Sequence, residues 1–135
     1  MNTSIVLMMM FTAASHAYKL PAGLISAVCF VESTHTITAV HFDDGKDDSV
    51  GICQVQPKTA KFLKFNGNKN DLFNPKVNIK YAAMYLSYQL KRYNGDVYKA
   101  VAAYNAGSYK TSSNDGIAAN HTYVRKVLNA WIQGR

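Results

Sequence analysis

Three prolines constrain the fold of this 135-residue chain most, because each stands at the head of a segment with helical apolar spacing. A proline ring fixes φ near the helical value and lacks an N–H, which the first turn of a helix does not need. Pro21 precedes Leu24, Ile25, Val28, Val31 and Glu32, a series that predicts a helix running to about Ser33. Gln56-Pro57 opens a short helix carrying Ala60, Phe62 and Leu63. Asn74-Pro75 opens the longest one, which places Val77, Tyr81, Met84, Tyr85 and Tyr88 on an apolar and aromatic face and Lys80, Ser87 and Lys91 opposite, until Asn94-Gly95 ends it. Asp96 caps a further helix through Val97, Ala100, Val101 and Tyr104, broken at Asn105-Ala106-Gly107. The last helix runs from about His121 to Ile132 and packs Val124, Val127, Leu128 and Trp131. Residues 34–50 and 108–119 read as polar, irregular or weakly extended loops, and strand signals are weak throughout. The pattern is that of a single, mostly α domain.

Residues 1–17 contain no Asp, Glu, Lys or Arg, and the run Ile5–Phe11 is followed by Ser15-His16-Ala17. An apolar core ending in a small-x-small site resembles a signal peptide cleaved after Ala17, which would leave a domain of residues 18–135. Leu7, Phe11 and Ala14 also share one face at helical spacing, which makes the same segment the first helix of the domain. Both readings stand at this level.

Fifteen Lys and Arg against eight Asp and Glu give a net charge of +7, which favours an anionic partner such as nucleic acid, an acidic membrane surface or a cell-wall polymer. Scattered basic residues, with aromatics on apolar helix faces, argue against nucleic acid. No stretch reaches the roughly eighteen apolar residues of a membrane span. His16, His35, His41 and His121 have no metal-site spacing, and Asp43, Asp44, Asp47 and Asp48 do not form an EF-hand, so that stretch reads as a solvated turn. No metal and no cofactor are expected.

The acidic residues single out one position. Seven of the eight carboxylates are Asp, and Glu32 is the sole glutamate. It continues the apolar face of Leu24 and Val28 into the last turn of its helix, where burial and the negative end of the helix dipole both disfavour ionisation. A carboxylic acid kept protonated near neutrality can donate a proton to a glycosidic leaving oxygen. The same position also fits a frayed terminal side chain turned to water.

Four blocks, taken together, identify a family. Glu32-Ser33 closes the helix that follows Pro21. Ser49-Val50-Gly51-Ile52-Cys53-Gln54-Val55-Gln56-Pro57 is similar to S-x-G-L-M-Q-[ILV]-x-P. Asn74-Pro75, Asn78-Ile79 and Tyr85-Leu86 fit N-P-x-x-N-I-x-x-G-x-x-Y-L, and Ala102-Ala103-Tyr104-Asn105-Ala106-Gly107 fits A-A-Y-N-A-G. In this order they resemble the SLT-type catalytic domain of lytic transglycosylases, most of all its small phage or secretion-associated members. Cys53 stands where the family has Met, and Ala82 where it has Gly.

The resemblance implies a lysozyme-like (goose-type) fold with irregular loops around a cleft, acting as a monomer on peptidoglycan glycan strands. It implies cleavage of the MurNAc-GlcNAc β-1,4 bond with Glu32 as acid and then base, giving 1,6-anhydroMurNAc ends. Ser33 and Ser49 would orient Glu32 or the acetamido group, or else cap loops. Gln54 and Asn105 would hydrogen-bond the substrate. Tyr104 would contact Glu32 and a sugar, or simply pack in the core. The family fold would also bring Cys29 and Cys53 together, as a disulfide in an exported protein or as two buried thiols. Two other outcomes are open: an aspartate of residues 43–48 activating water in a hydrolytic lysozyme, or a wall-binding module without catalysis. The expected location is the periplasm or exterior if residues 1–17 are a signal peptide, and otherwise the protein is phage-associated and acts on the cell wall.

Overall fold

The computed structural model describes residues 2–42 and 47–135; Asp43 and Asp44 of the acidic stretch lie outside the described residues. Helix α1 (Thr3–Ala17) starts at Asn2, whose side chain accepts from the Ser4 N–H at 2.8 Å. It buries Phe11 and Ala14 against α2 (Leu24–Ser33) and against α4, which spans Pro75–Arg92. A chain cut after Ala17 would lose both core residues. Pro21 stands in the turn before α2 rather than in its first helical turn. Gly23 supplies the N-cap instead, at φ +82°, a left-handed backbone open to glycine. The indole of Trp131 lies over Gly23 and donates to the Ala22 carbonyl at 2.8 Å, which ties the start of α2 to the end of α6 (His121–Ile132).

After α2 the chain forms a two-stranded antiparallel hairpin, β1 (Val40–His41) with β2 (Ser49–Val50), in the register Val40 to Val50 and His41 to Ser49. Helix α3 (Pro57–Phe62) and α4 both carry their proline in the first turn, as the sequence predicts. A 3-10 turn at Lys69–Phe73 joins them, closed by a reciprocal cap between Asn68 and Asp71. Asp96 caps α5 (Val97–Ala106) by accepting from the Lys99 N–H at 3.0 Å.

Helix α4 departs from its sequence reading. Its buried residues are Asn78, Ile79, Ala82, Ala83, Leu86, Ser87 and Gln89, whereas Tyr81, Met84 and Tyr85 are half-buried and Tyr88 is exposed. Helices α1, α2 and α5 all pack on α4. A central helix touched on several sides buries its small residues, since these let neighbouring backbones approach. The bulky aromatic stripe is displaced to the flank.

Asn78 does the work of a small scaffold. Its Oδ1 accepts from the Cys53 N–H at 2.8 Å, and its Nδ2 donates to the carbonyls of Val50 and Leu72 at 2.8 and 2.7 Å. Gly51 lies so close that a Cβ there would sit 2.4 Å from that Nδ2, and its φ is +82°. Asn78→Ala should strand the Cys53 N–H and the Leu72 carbonyl, leave the Val50 carbonyl with its Val55 bond alone, and lower stability by about 3 kcal/mol, measurable as a reduced denaturation midpoint.

Candidate active site

The last turn of α2 delivers Glu32 to its place. Thr34 ends the helix in the left-handed region, at φ 56°, and its N–H donates to the Phe30 carbonyl at 2.7 Å. The Glu32 carboxylate accepts a hydrogen bond from the Tyr123 hydroxyl of α6, 2.7 Å from Oε2. Burial raises the Glu32 pKa from 4.5 to about 7, and the Tyr123 hydrogen bond opposes that rise without overcoming it.

Tyr104 and Tyr123 are both pushed well above the usual tyrosine range, first by burial and then by the charge of Glu32, so both hydroxyls keep their protons. The Tyr104 hydroxyl donates to the Cys53 carbonyl at 2.9 Å, and its ring is buried. Tyr104 is therefore both a core residue and a neighbour of Glu32.

Ser33 turns from the carboxylate to the backbone. Its Oγ donates to the Ile52 carbonyl at 2.6 Å and accepts from the Thr36 N–H at 2.9 Å, a role close to loop capping. Gln54, itself at φ 54°, donates from Nε2 to the carbonyls of Gly51 and Ala39 at 3.0 and 3.2 Å. Ser49 lies half-buried in β2 opposite His41. Asn105 is exposed at the end of α5, and its Oδ1 accepts from Asn120 at 2.9 Å. Cys29 and Cys53 form a disulfide, which decides between the two states open to these residues.

Asp47 accepts from the Lys58 backbone N–H at 2.9 Å, and Asp48 pairs with the Lys69 ammonium. Among the described residues, no three His, Cys, Asp or Glu side chains gather where they could hold a metal ion, and no helix is long and apolar enough to cross a membrane.

Sequence reasoning passed over Tyr123. It precedes Val127 by four residues and so borders the buried face of α6, where a tyrosine hydroxyl needs a partner. That was the available signal.

Comparison with known proteins gives the family and the fold. The transglycosylase SLT domain matches residues 9–123, beginning inside α1. Protein IpgF of Shigella flexneri is 30% identical over 117 residues, covering 85% of this chain and 76% of that protein. The X polypeptide of Escherichia coli is 31% identical over 126 residues (91% and 73%). Membrane-bound lytic murein transglycosylase E of Buchnera aphidicola is 27% identical over 138 residues (88% and 61%). An inactive mutant of the lytic transglycosylase Slt from Pseudomonas aeruginosa shares the fold, with a TM-score of 0.75 at 23% identity. That match covers 92% of this chain and 23% of the larger one. The chain belongs to the SLT-domain family of peptidoglycan lytic transglycosylases. The resemblance drawn from four sequence blocks and the lysozyme-like fold it implied both hold.

Two outcomes follow from the carboxylate's surroundings. Raising the folded pKa from 4.5 to about 7 makes the native state hold a proton that the unfolded chain releases. The associated stability is full below the unfolded value and is lost as pH rises through about 7. Glu32→Gln cannot ionise, so it should gain on the wild type between pH 5 and 8, by up to about 3 kcal/mol, in parallel thermal melts. Tyr123→Phe removes a side-chain bond that favours the charged form. The alkaline limb of the pH–rate profile on suspended cell walls should then move to higher pH; a limb that stays put would make Tyr123 a packing residue only.

Proposed function

We propose that this domain cleaves the MurNAc-GlcNAc β-1,4 bond of peptidoglycan by non-hydrolytic transglycosylation, with Glu32 as the single acid and base. The observation that carries this is a half-buried carboxyl poised at about pH 7. A group that must first give and then take a proton works best with a pKa near the working pH. Burial and the Tyr123 hydroxyl are the influences that move Glu32 among the described residues, and no second carboxylate is one of them.

The steps balance without water. Glu32 gives its proton to the O4 leaving oxygen of GlcNAc as the bond from C1 of MurNAc breaks. The carbonyl oxygen of the N-acetyl group stabilises the cationic C1. The C6 hydroxyl of the same sugar then attacks C1, and its proton passes to the Glu32 carboxylate, which restores the acid. The products are a 1,6-anhydroMurNAc end and a free 4-hydroxyl. Ser49, Gln54 and Asn105 are assigned to hold the sugars, Tyr104 to wall the site beside Glu32, and Ser33 to fix the loop at Ile52.

We place the reaction in the periplasm or outside the cell, acting on the wall. The Cys29–Cys53 disulfide supports this, since such bonds persist in oxidising compartments. Net charge +7 suits an anionic wall polymer.

Mass analysis of fragments from purified peptidoglycan tests the reaction. Ends lighter by one water, abolished in Glu32→Gln, are the expected result. Reducing ends would make the enzyme a hydrolase, and an absence of fragments with binding retained would make it a wall-binding module.

A further inference from the structure

A concave surface lies between α3 and α4, outside the residues assigned above. It encloses about 320 Å³ and is lined by Lys58, Phe62, Tyr85, Tyr88, Gln89 and Arg92, among others. Phe62 is 57% exposed and Tyr88 39%, an open display that packing does not require. The two rings meet edge to face at 5.2 Å, Tyr88 stacks on Tyr85 at 6.3 Å, and Tyr85 touches Tyr104 at 5.4 Å. An unbroken row of rings thus runs from Phe62 to the tyrosine beside Glu32.

Two cations flank the row. Lys58 and Arg92 are exposed, and neither forms an ion pair among the described residues. The Arg92 guanidinium is aimed by its bond to the Gly107 carbonyl at 2.9 Å, at the end of the helix that carries Tyr104 and Asn105.

We infer that this groove is an outer saccharide subsite, in which Phe62 and Tyr88 take a sugar face and Lys58 and Arg92 receive the carboxylates of its peptide substituent. The inference rests on the glycan-cleaving reading above. A strand threaded past Glu32 continues beyond the bond that breaks, and its muramic acid residues carry lactyl-linked peptides with negative charge. Sugar C–H faces pack on aromatic rings, and half-open aromatic walls with a few fixed polar groups are the usual make-up of such sites. Cations beside them select the anionic substituent without touching the reacting atoms.

The test uses the whole chain and two forms of purified glycan strands, stem-bearing and amidase-stripped. Phe62→Ala should lower kcat/KM about fivefold on both, with melting temperature unchanged because the side chain is mostly exposed. Lys58→Gln should lower kcat/KM more on stem-bearing strands than on stripped ones, and added salt should erase that difference. Wild-type kinetics in Phe62→Ala would overturn the subsite; an equal effect of Lys58→Gln on both substrates would overturn the contact with the stem. Pelleting with insoluble sacculi separates this from the cleavage reading, using Glu32→Gln with and without Phe62→Ala. Binding that falls with Phe62→Ala while the wild type releases no fragments keeps the subsite and removes the catalysis. Wild-type cleavage with binding indifferent to Phe62 removes the subsite alone.

Discussion

Everything around Glu32 depends on how the turn from Val50 to Val55 is fastened. Three helices hold it. From α2 come the Cys29–Cys53 disulfide and the Ser33 hydroxyl on the Ile52 carbonyl. Asn78 of α4 grips the backbone at both Val50 and Cys53, and Tyr104 of α5 donates to the Cys53 carbonyl. The turn also closes on itself, with Val50 and Val55 exchanging backbone bonds at 3.1 and 3.0 Å. Buried peptide groups without partners are expensive, so a turn of this kind has one low-energy placement. Cys29 lies one helical turn before Glu32, so the same fastenings fix the wall beside the acid.

Within that wall two opposing effects set the chemistry. Withdrawal from water disfavours the carboxylate, and the Tyr123 hydroxyl favours it; withdrawal wins, and the balance settles at about 7. The proposed acid-and-base role needs this balance: deeper burial would keep the carboxyl from ionising, and full hydration would keep it from holding its proton. The tyrosines keep their own protons because the same burial, and Glu32 itself, raise their pKa values. They shape the site as fixed donors.

Helix α4 couples this site to the surface. Its alanines at 82 and 83 let neighbours close in, and its Asn78 reaches up to the turn. The aromatic stripe that the small residues leave on the flank is the row leading away from Tyr104. Core packing and the shape of the groove between α3 and α4 are two results of one distribution of large and small side chains.

Local signals in the sequence determined the helices and the place of the acid. Pro57, Pro75 and Asp96 mark three helix starts, the last helix spans His121–Ile132, and Glu32 falls in the final turn of α2. These depend on caps and on a 3.6-residue period, which act over a few residues and can be read in order. The family blocks rest on the same kind of contiguous spacing. Tertiary structure alone decided that α1 buries Phe11 and Ala14, that Ser87 and Gln89 lie inside while Tyr88 lies outside, and that Cys29 bonds to Cys53. It alone brought Tyr123 to Glu32 across 91 positions. The physical reason is that periodicity says which face of a helix is apolar, whereas the partner of that face is set by how helices cross and how closely they approach.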